Sequence, residues 1–433
     1  MSLKFGTDGV RAEAFTVLTT EYVAALANAA AQVLGGGQWL IGRDTRESGP
    51  ALEAAVAAGL AAAGAQPVSA GVVPTPALAW LSAQRGVPAA MITASHNPWQ
   101  DNGVKFFAPG GLKLPDDVER AIEAVLRADD LAPAGAVPSH APVLGEYVQH
   151  IVGLGGSLAG LRVVLDCANG AMSVAAPAVF RALGADTVVV HDTPDGRNIN
   201  DHCGATHTES LSAAVLAEGA HLGLAFDGDG DRVIAVDQLG RSVDGDRLIA
   251  LAAIQMRDEG RLHAGTVVVT VMSNLGFHKA MAAAGIDVLT TAVGDRYVLE
   301  ALDAHGHSVG GEQSGHIIYR DLATTGDGLL AGIRLAQFVH EHHRSLAELA
   351  EEVMTSYPQV LVNVRVRERH PHVAAELAAE IEVAEMALQG DGRILVRASG
   401  TEPLIRVMVE AATAELAQST ADRLAAVVLA RFG

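Results

Sequence analysis

The sequence predicts an α/β protein of several domains: three related, mainly parallel α/β domains, then a smaller α+β domain at the C-terminus. Three observations carry this. Short aliphatic runs alternate with alanine-rich amphipathic segments through about the first 355 residues, the pattern of βαβ units. Aromatic residues make up 4% of the chain while alanine, valine and leucine dominate, as suits strands covered on both faces by helices. After about residue 356 the order becomes strand, helix, two strands, helix.

The strand-like runs are Trp39 to Gly42, Val163 to Asp166, Leu222 to Phe226 and Thr266 to Val271. Helical segments include Glu21 to Leu34, Leu52 to Ala63 and Ser210 to Leu216. A weak repeat links them. The runs ending near Asp44, Asp166 and Asn274 are each followed, roughly 40 to 60 residues later, by a Gly- or Ser-rich polar loop. Those loops surround Ser95, run from Asp227 to Arg232, and run from Gly311 to His316. Ligands of open α/β sheets sit beyond the carboxyl ends of strands, so the repeat predicts three functional loops. In the last part, Leu361 to Val366, Arg393 to Arg397 and Ile405 to Glu410 read as strands, and Val373 to Leu388 and Ala414 to Ala430 as helices. Glycine and proline mark boundaries that give domains at 1–150, 151–245, 246–357 and 358–433.

At 433 residues, 49% of them hydrophobic, the chain can fill several cores. Its formal charge of −20 argues against nucleic acid and anionic membranes as partners, while leaving room for an anionic small molecule held by clustered arginines. No apolar run reaches the ~18 residues of a membrane span. Lys4-Phe5 passes at once into Gly6-Thr7-Asp8-Gly9, unlike a secretion signal, so the cytoplasm is the expected compartment. Cys167 and Cys203 make neither a disulfide framework nor a four-ligand metal site and read as small buried residues.

Thr93-Ala94-Ser95-His96-Asn97-Pro98 follows an apolar run and precedes Asp101-Asn102-Gly103-Val104-Lys105. It reads either as a decorated surface turn or as a serine placed at a strand end for chemistry. Asp227, Asp229 and Asp231 alternate with glycine, which lets the backbone curl so that three hard oxygen ligands converge on an ion such as Mg²⁺. An EF-hand fails, because Arg232 stands where that loop needs glycine and Gln238 where it needs glutamate. Three carboxylates leave coordination positions open, as phosphoryl transfer requires, and Arg232 could hold a phosphate nearby; a solvated acidic turn is the other reading. Arg397-Ala398-Ser399-Gly400-Thr401-Glu402-Pro403 with Arg406 has the make-up of a phosphate clamp, or of a turn between two strands with an incidental arginine. Glu312 and Ser314 could grip a sugar edge, Arg11 adds positive charge near the N-terminus, and both segments also read as ordinary polar loops. Gly42-Arg43-Asp44-Thr45-Arg46 reads as a structural turn. His340-Glu341-His342-His343-Arg344 lacks the second zinc-protease histidine, and neither an ATP-binding P-loop nor a G-x-S-x-G elbow occurs.

Taken in order along nearly the whole chain, these motifs and Phe5-Gly6-Thr7-Asp8-Gly9-Val10-Arg11 resemble the α-D-phosphohexomutase family. Gln313 and Asn200-Asp201-His202-Cys203-Gly204 resemble its glucosamine branch. Ala12 and Ala205-Thr206-His207-Thr208 depart from the family pattern without touching a residue of assigned role. The resemblance implies four domains, the last a phosphate-binding lid. It implies a phosphorylated Ser95 and one Mg²⁺ held by Ser95, Asp227, Asp229 and Asp231. Ser95, Lys105, His96 and Arg11 would be catalytic, with Lys105 a candidate general acid or base. Arg232, Glu312, Ser314, Arg397, Ser399, Gly400, Thr401 and Arg406 would hold the phosphosugar. The implied reaction converts glucosamine 6-phosphate to glucosamine 1-phosphate through a 1,6-bisphosphate, which also serves as activator, and feeds UDP-N-acetylglucosamine and cell-wall precursor synthesis. A glucose or mannose phosphate mutase is the alternative, a silent sugar-phosphate binder a more distant one. The partner is a small phosphosugar, with neither nucleic acid nor membrane involved, and a homodimer is admitted.

Overall fold

A computed structural model describes residues 3–6, 8–126, 138–141, 143–399 and 403–433. Gly400 and Thr401 of the predicted clamp lie outside the described residues. The chain forms two compact units, 1–272 with 286–351 and 273–285 with 352–433.

The larger unit contains three sheets with one shared plan. In each, two strands and the helix between them are followed by a third strand that pairs parallel with the first, and a hairpin then adds an antiparallel fourth. The first sheet has Ala65–Val72, Gly37–Arg43, Ala89–Ile92 and Asp101–Ala108 in that order, with Val10–Glu13 beyond the last and Ser139–His140 beyond the first. The second has Asp186–Val190, Arg162–Asp166, Leu222–Phe226 and Val233–Asp237. The third has Asp287–Thr291, Thr266–Thr270, Val309–Gly311 and Ile317–Tyr319. The parallel strands are contiguous in each sheet, and the antiparallel additions on one side make the sheets mixed. Each predicted functional loop is the hairpin connection between the third and fourth strands of its sheet, which explains the repeat in the sequence.

Burial follows from composition. Leu222–Phe226 and Thr266–Thr270 are buried at every position, as aliphatic strands between helices should be. Side-chain caps start the helices: Thr19 accepts from Tyr22 N–H before Thr20–Leu34, and Asp244 from Arg247 N–H before Gly245–Asp258. Asp327 accepts from Leu330 N–H before Gly328–His342. No helix among the described residues is long and apolar enough to cross a membrane.

The smaller unit is α+β. Its antiparallel sheet runs Gln359–Arg365, Leu404–Ala411, Gly392–Ala398, and Ala414–Phe432 packs Ala417, Ala421 and Leu424 onto Ile405, Val407 and Val409. The helix expected over Val373 to Leu388 is two, Val373–Glu376 and Ala378–Ala387. The break is Leu377, with φ −111° and ψ 16°, whose fully buried side chain belongs to the core beneath. Leu275–Ala283, which the sequence boundaries place in 246–357, groups with this unit. Glu410 accepts from Leu275 N–H at 2.9 Å, and Asn274 Nδ2 donates to the Tyr357 carbonyl at 2.9 Å.

Candidate active site

Ser95 begins the hairpin after Ala89–Ile92. Its φ of +51° is a left-handed conformation that a serine adopts only when its surroundings impose it. Ser95 N–H donates to Thr93 Oγ1 at 2.8 Å, and Thr93 Oγ1 donates to Asp44 Oδ2 at 2.7 Å. Arg46, ion-paired with Asp44 at 2.9 Å and equally buried, donates to the carbonyls of Ser95 (2.9 Å), Asn97 (2.8 Å), Asp101 (2.9 Å) and Pro98. Asn200 Nδ2 adds bonds to the Ser95 and Asn97 carbonyls at 2.8 and 3.0 Å. The Ser95 carbonyl also lies so close to Gly228 that a β-carbon there would stand 2.7 Å from it. Glycine is therefore required where the second loop meets the first.

The outcome is chemical. Ser95, 1% exposed, donates its hydroxyl to Asp227 Oδ2 at 2.6 Å. Oxygen atoms of Asp227, Asp229 and Asp231 lie within 4.8 Å of one another. Asp229 Oδ2 accepts from Thr75 Oγ1 at 2.6 Å and Lys105 Nζ at 2.9 Å, and Asp227 Oδ1 accepts from Arg232 N–H at 3.1 Å. Asp229 Oδ1 and Asp231 Oδ1 are buried without a hydrogen-bond partner. Burial, then repulsion from Asp231 and Asp229, pushes the Asp227 carboxyl well above its ordinary range. Buried oxygens without donors and mutually repelling carboxylates fit a hard divalent cation such as Mg²⁺.

Cationic groups surround this triad. Burial alone would lower Lys105, but Asp229, Asp8 and Asp231 outweigh it and hold the ammonium protonated. Burial likewise opposes the charge of Arg232, and Asp227, Asp231 and Glu312 restore it. Its Nε, like that of Arg11, is buried without a hydrogen-bond partner, while Arg11 pairs with Asp8 through its terminal nitrogen. His96 Nδ1 lies 3.4 Å from Ser95 Oγ, and burial, then Arg232 and Arg11, push the imidazole down to about 4, so it is neutral at neutral pH. Glu312 Oε1 accepts from Gly294 N–H at 3.0 Å, which fixes the carboxylate, while Ser314 is exposed. Gln313 turns to Asp244, donating at 3.1 Å. Ser95, His96, Arg11, Lys105, Arg232 and the aspartates thus gather in one place, with Glu312 beside Arg232.

Several members of the site are residues to which the sequence assigns no chemical role. Lys113 pairs with Asp8 at 3.2 Å and with Asp295. His316, 2% exposed, stands between Asp231 (3.7 Å) and Asp295 (3.5 Å), and Arg232 and His316 form an isolated β-bridge. Thr75, Arg46 and Asn200 complete the set. In the smaller unit, Arg397 and Arg406 are direct partners on adjacent antiparallel strands. Burial, then Arg406, lowers the Arg397 guanidinium, and Arg406 Nε has no hydrogen-bond partner. Two like charges placed opposite each other are costly unless an anion binds between them. Ser399 is buried beside them.

A buried serine aimed at a carboxylate triad and ringed by basic side chains has the equipment of a phosphoryl-transfer enzyme. The comparisons narrow that class. The phosphoglucomutase/phosphomannomutase alpha/beta/alpha domains I, II and III match residues 2–132, 145–240 and 244–357, and the C-terminal domain matches 361–427. The chain belongs to this family, the phosphohexomutases, which are isomerases. A phosphoglucosamine mutase of Parafrankia sp. is 50% identical, with 99% of each chain covered. One of Rhodococcus jostii is 51% identical, again over 99% of each. Among solved structures, a putative phosphomannomutase of Thermus thermophilus has a TM-score of 0.83 at 23% identity, covering 99% of each chain. The Aspergillus fumigatus N-acetylphosphoglucosamine mutase in complex with GlcNAc-6P and magnesium has a TM-score of 0.70 at 19% identity, covering 100% of this chain and 96% of its own.

Proposed function

We propose that this chain interconverts glucosamine 6-phosphate and glucosamine 1-phosphate, with Ser95 as the phosphate carrier. Full-length relatives at about 50% identity named phosphoglucosamine mutase support the substrate class. The observation that carries the chemistry is the buried Ser95 hydroxyl, 2.6 Å from Asp227 beside two further aspartates.

Starting from phosphoserine, the sugar O1 bonds to phosphorus while the bond from phosphorus to Ser95 Oγ breaks. The O1 proton ends on Ser95 Oγ, leaving a 1,6-bisphosphate. After the sugar turns over, Ser95 Oγ attacks the 6-phosphoryl group, O6 leaves and takes the proton, and phosphoserine is regenerated. Neutral His96, 3.4 Å from Ser95 Oγ, is placed to hold that proton in transit. Lys105, held charged by Asp229, Asp8 and Asp231, offsets phosphate charge and is a candidate for acid or base help. Arg11 and Arg232 offer guanidinium donors to the transferring phosphoryl oxygens. Asp227, Asp229 and Asp231 would hold Mg²⁺, which supplies charge neutralisation at those same oxygens. Glu312 and Ser314 would take sugar hydroxyls. Arg397, Ser399 and Arg406, with Gly400 and Thr401, would take the phosphate that is not reacting.

Steady-state turnover of glucosamine, glucose and mannose 6-phosphates tests the reading. The glucosamine ester should give the highest kcat/KM; a large preference for a neutral sugar overturns the assignment. Ser95→Ala should fold and lose turnover, and intact-mass analysis should find phosphate on the parent and none on the variant.

A further inference from the structure

A second group of ligand-type side chains, sharing no residue with the aspartate triad, lies at the same carboxyl end of the second sheet. Asp166 ends Arg162–Asp166, His191 directly follows Asp186–Val190, and Cys203 precedes the turn Gly204–Thr206. One ligand atom from each lies within 4.8 Å of the others. Asp166 is oriented by backbone donors, Ala168 N–H to Oδ1 and Gly204 N–H to Oδ2, both at 2.9 Å, and each oxygen keeps a lone pair. His191 Nδ1 stands 3.1 Å from Asp166 Oδ1, close enough for one ion to take both atoms as ligands. Cys203 is fully buried and not in a disulfide, while the His191 side chain is 30% exposed and gives the group an opening to solvent.

We infer that Asp166, His191 and Cys203 form a binding site for a borderline-soft divalent ion of the zinc class, separate from the Mg²⁺ triad. One oxygen, one imidazole nitrogen and one sulfur suit Zn²⁺ and leave a fourth position for water. Mg²⁺ seeks oxygen ligands only, so the two sites differ in the ion they select. A bound ion would tie the ends of two strands to the loop from Asn200 to Gly204, whose Asn200 holds the Ser95 and Asn97 carbonyls. The site is therefore a clip on the support of the serine loop. Binding through Cys203 requires its thiolate, so a sulfur-to-metal band reports that an ion has displaced the thiol proton.

Co²⁺ is the probe, added to the full-length protein with Mg²⁺ in excess to fill the oxygen site. The expected result is one tight Co²⁺ per chain, with a near-ultraviolet thiolate-to-metal band and visible bands of tetrahedral intensity. Cys203→Ser should abolish the thiolate band and weaken binding by at least the roughly 10–100-fold typical of losing an outer-shell partner. His191→Asn should weaken binding similarly, and it serves if the serine variant fails to fold. Zn²⁺ should raise the melting temperature of the parent and not of either variant. Co²⁺ uptake without a thiolate band, a band that survives Cys203→Ser, or no uptake beyond the Mg²⁺ site would each overturn the inference.

Discussion

Replacing Arg46 separates two roles that one buried guanidinium combines. Arg46 is 1% exposed, pairs with the wholly buried Asp44, and donates to four carbonyls of the serine loop. Arg46→Met leaves Asp44 with Thr93 and one backbone N–H as donors. A buried charge deprived of its partner costs about 3–5 kcal/mol. The same substitution frees the loop that fixes Ser95 at φ +51°, and a displacement of ~1 Å at the reacting atom lowers turnover ~100-fold. Urea denaturation and saturated turnover measure the two effects. Adding Asp44→Asn removes the stranded charge, so the double variant should recover most of the stability and little of the turnover. A double variant no more stable than Arg46→Met refutes the charge argument. Parent-like turnover in Arg46→Met refutes the positioning argument.

Chelation should abolish turnover and Mg²⁺ should restore it. Thr75→Val, which removes the donor 2.6 Å from Asp229 Oδ2, should raise the Mg²⁺ needed for half-maximal turnover by roughly 10–100-fold, and an unchanged requirement would refute its role. Burial pushes Asp327 up to about 6 from 3.8, against bonds from Leu330 N–H and the Tyr147 hydroxyl. The native state then keeps a proton that the unfolded chain releases, so this stabilisation is complete below about pH 4 and lost as pH rises through 6. Asp327→Asn should therefore gain about 3 kcal/mol relative to the parent across that window, and parallel denaturation curves would count against it. Arg406→Met should raise KM about tenfold or more, the effect of losing a charged hydrogen bond, while slightly stabilising the ligand-free protein by relieving Arg397. An unchanged KM with lower stability would assign Arg406 to structure alone.

The fold class was legible because its cause is local: aliphatic runs, caps and polar turns recur with a βαβ rhythm, and even the three loops stand out as a repeat. The aspartate triad was legible for a related reason, since all its carboxylates lie within one short turn. Arg43-Asp44-Thr45-Arg46 reads as a turn because nothing in its spacing reveals that Arg46 reaches the Asn97 and Pro98 carbonyls, 51 and 52 residues away. Thr75 meets Asp229 across 154 residues, and Lys113 meets Asp295 across 182. Such contacts are made by the assembly of sheets. Cys203, read as a small buried residue, is buried as expected, but the ligand-type neighbours it meets come from the ends of two strands.

Because each working loop is a hairpin with both ends pinned to neighbouring strands, its interior can be rewritten with little consequence for the sheet that carries it. The serine, the carboxylates and the residues proposed to face the sugar occupy three such inserts on three separate frames. A lineage could therefore alter which sugar is accepted through the Gly311 to His316 insert alone, leaving the phosphate-handling inserts unchanged. The architecture divides inheritance of the reaction from inheritance of its specificity.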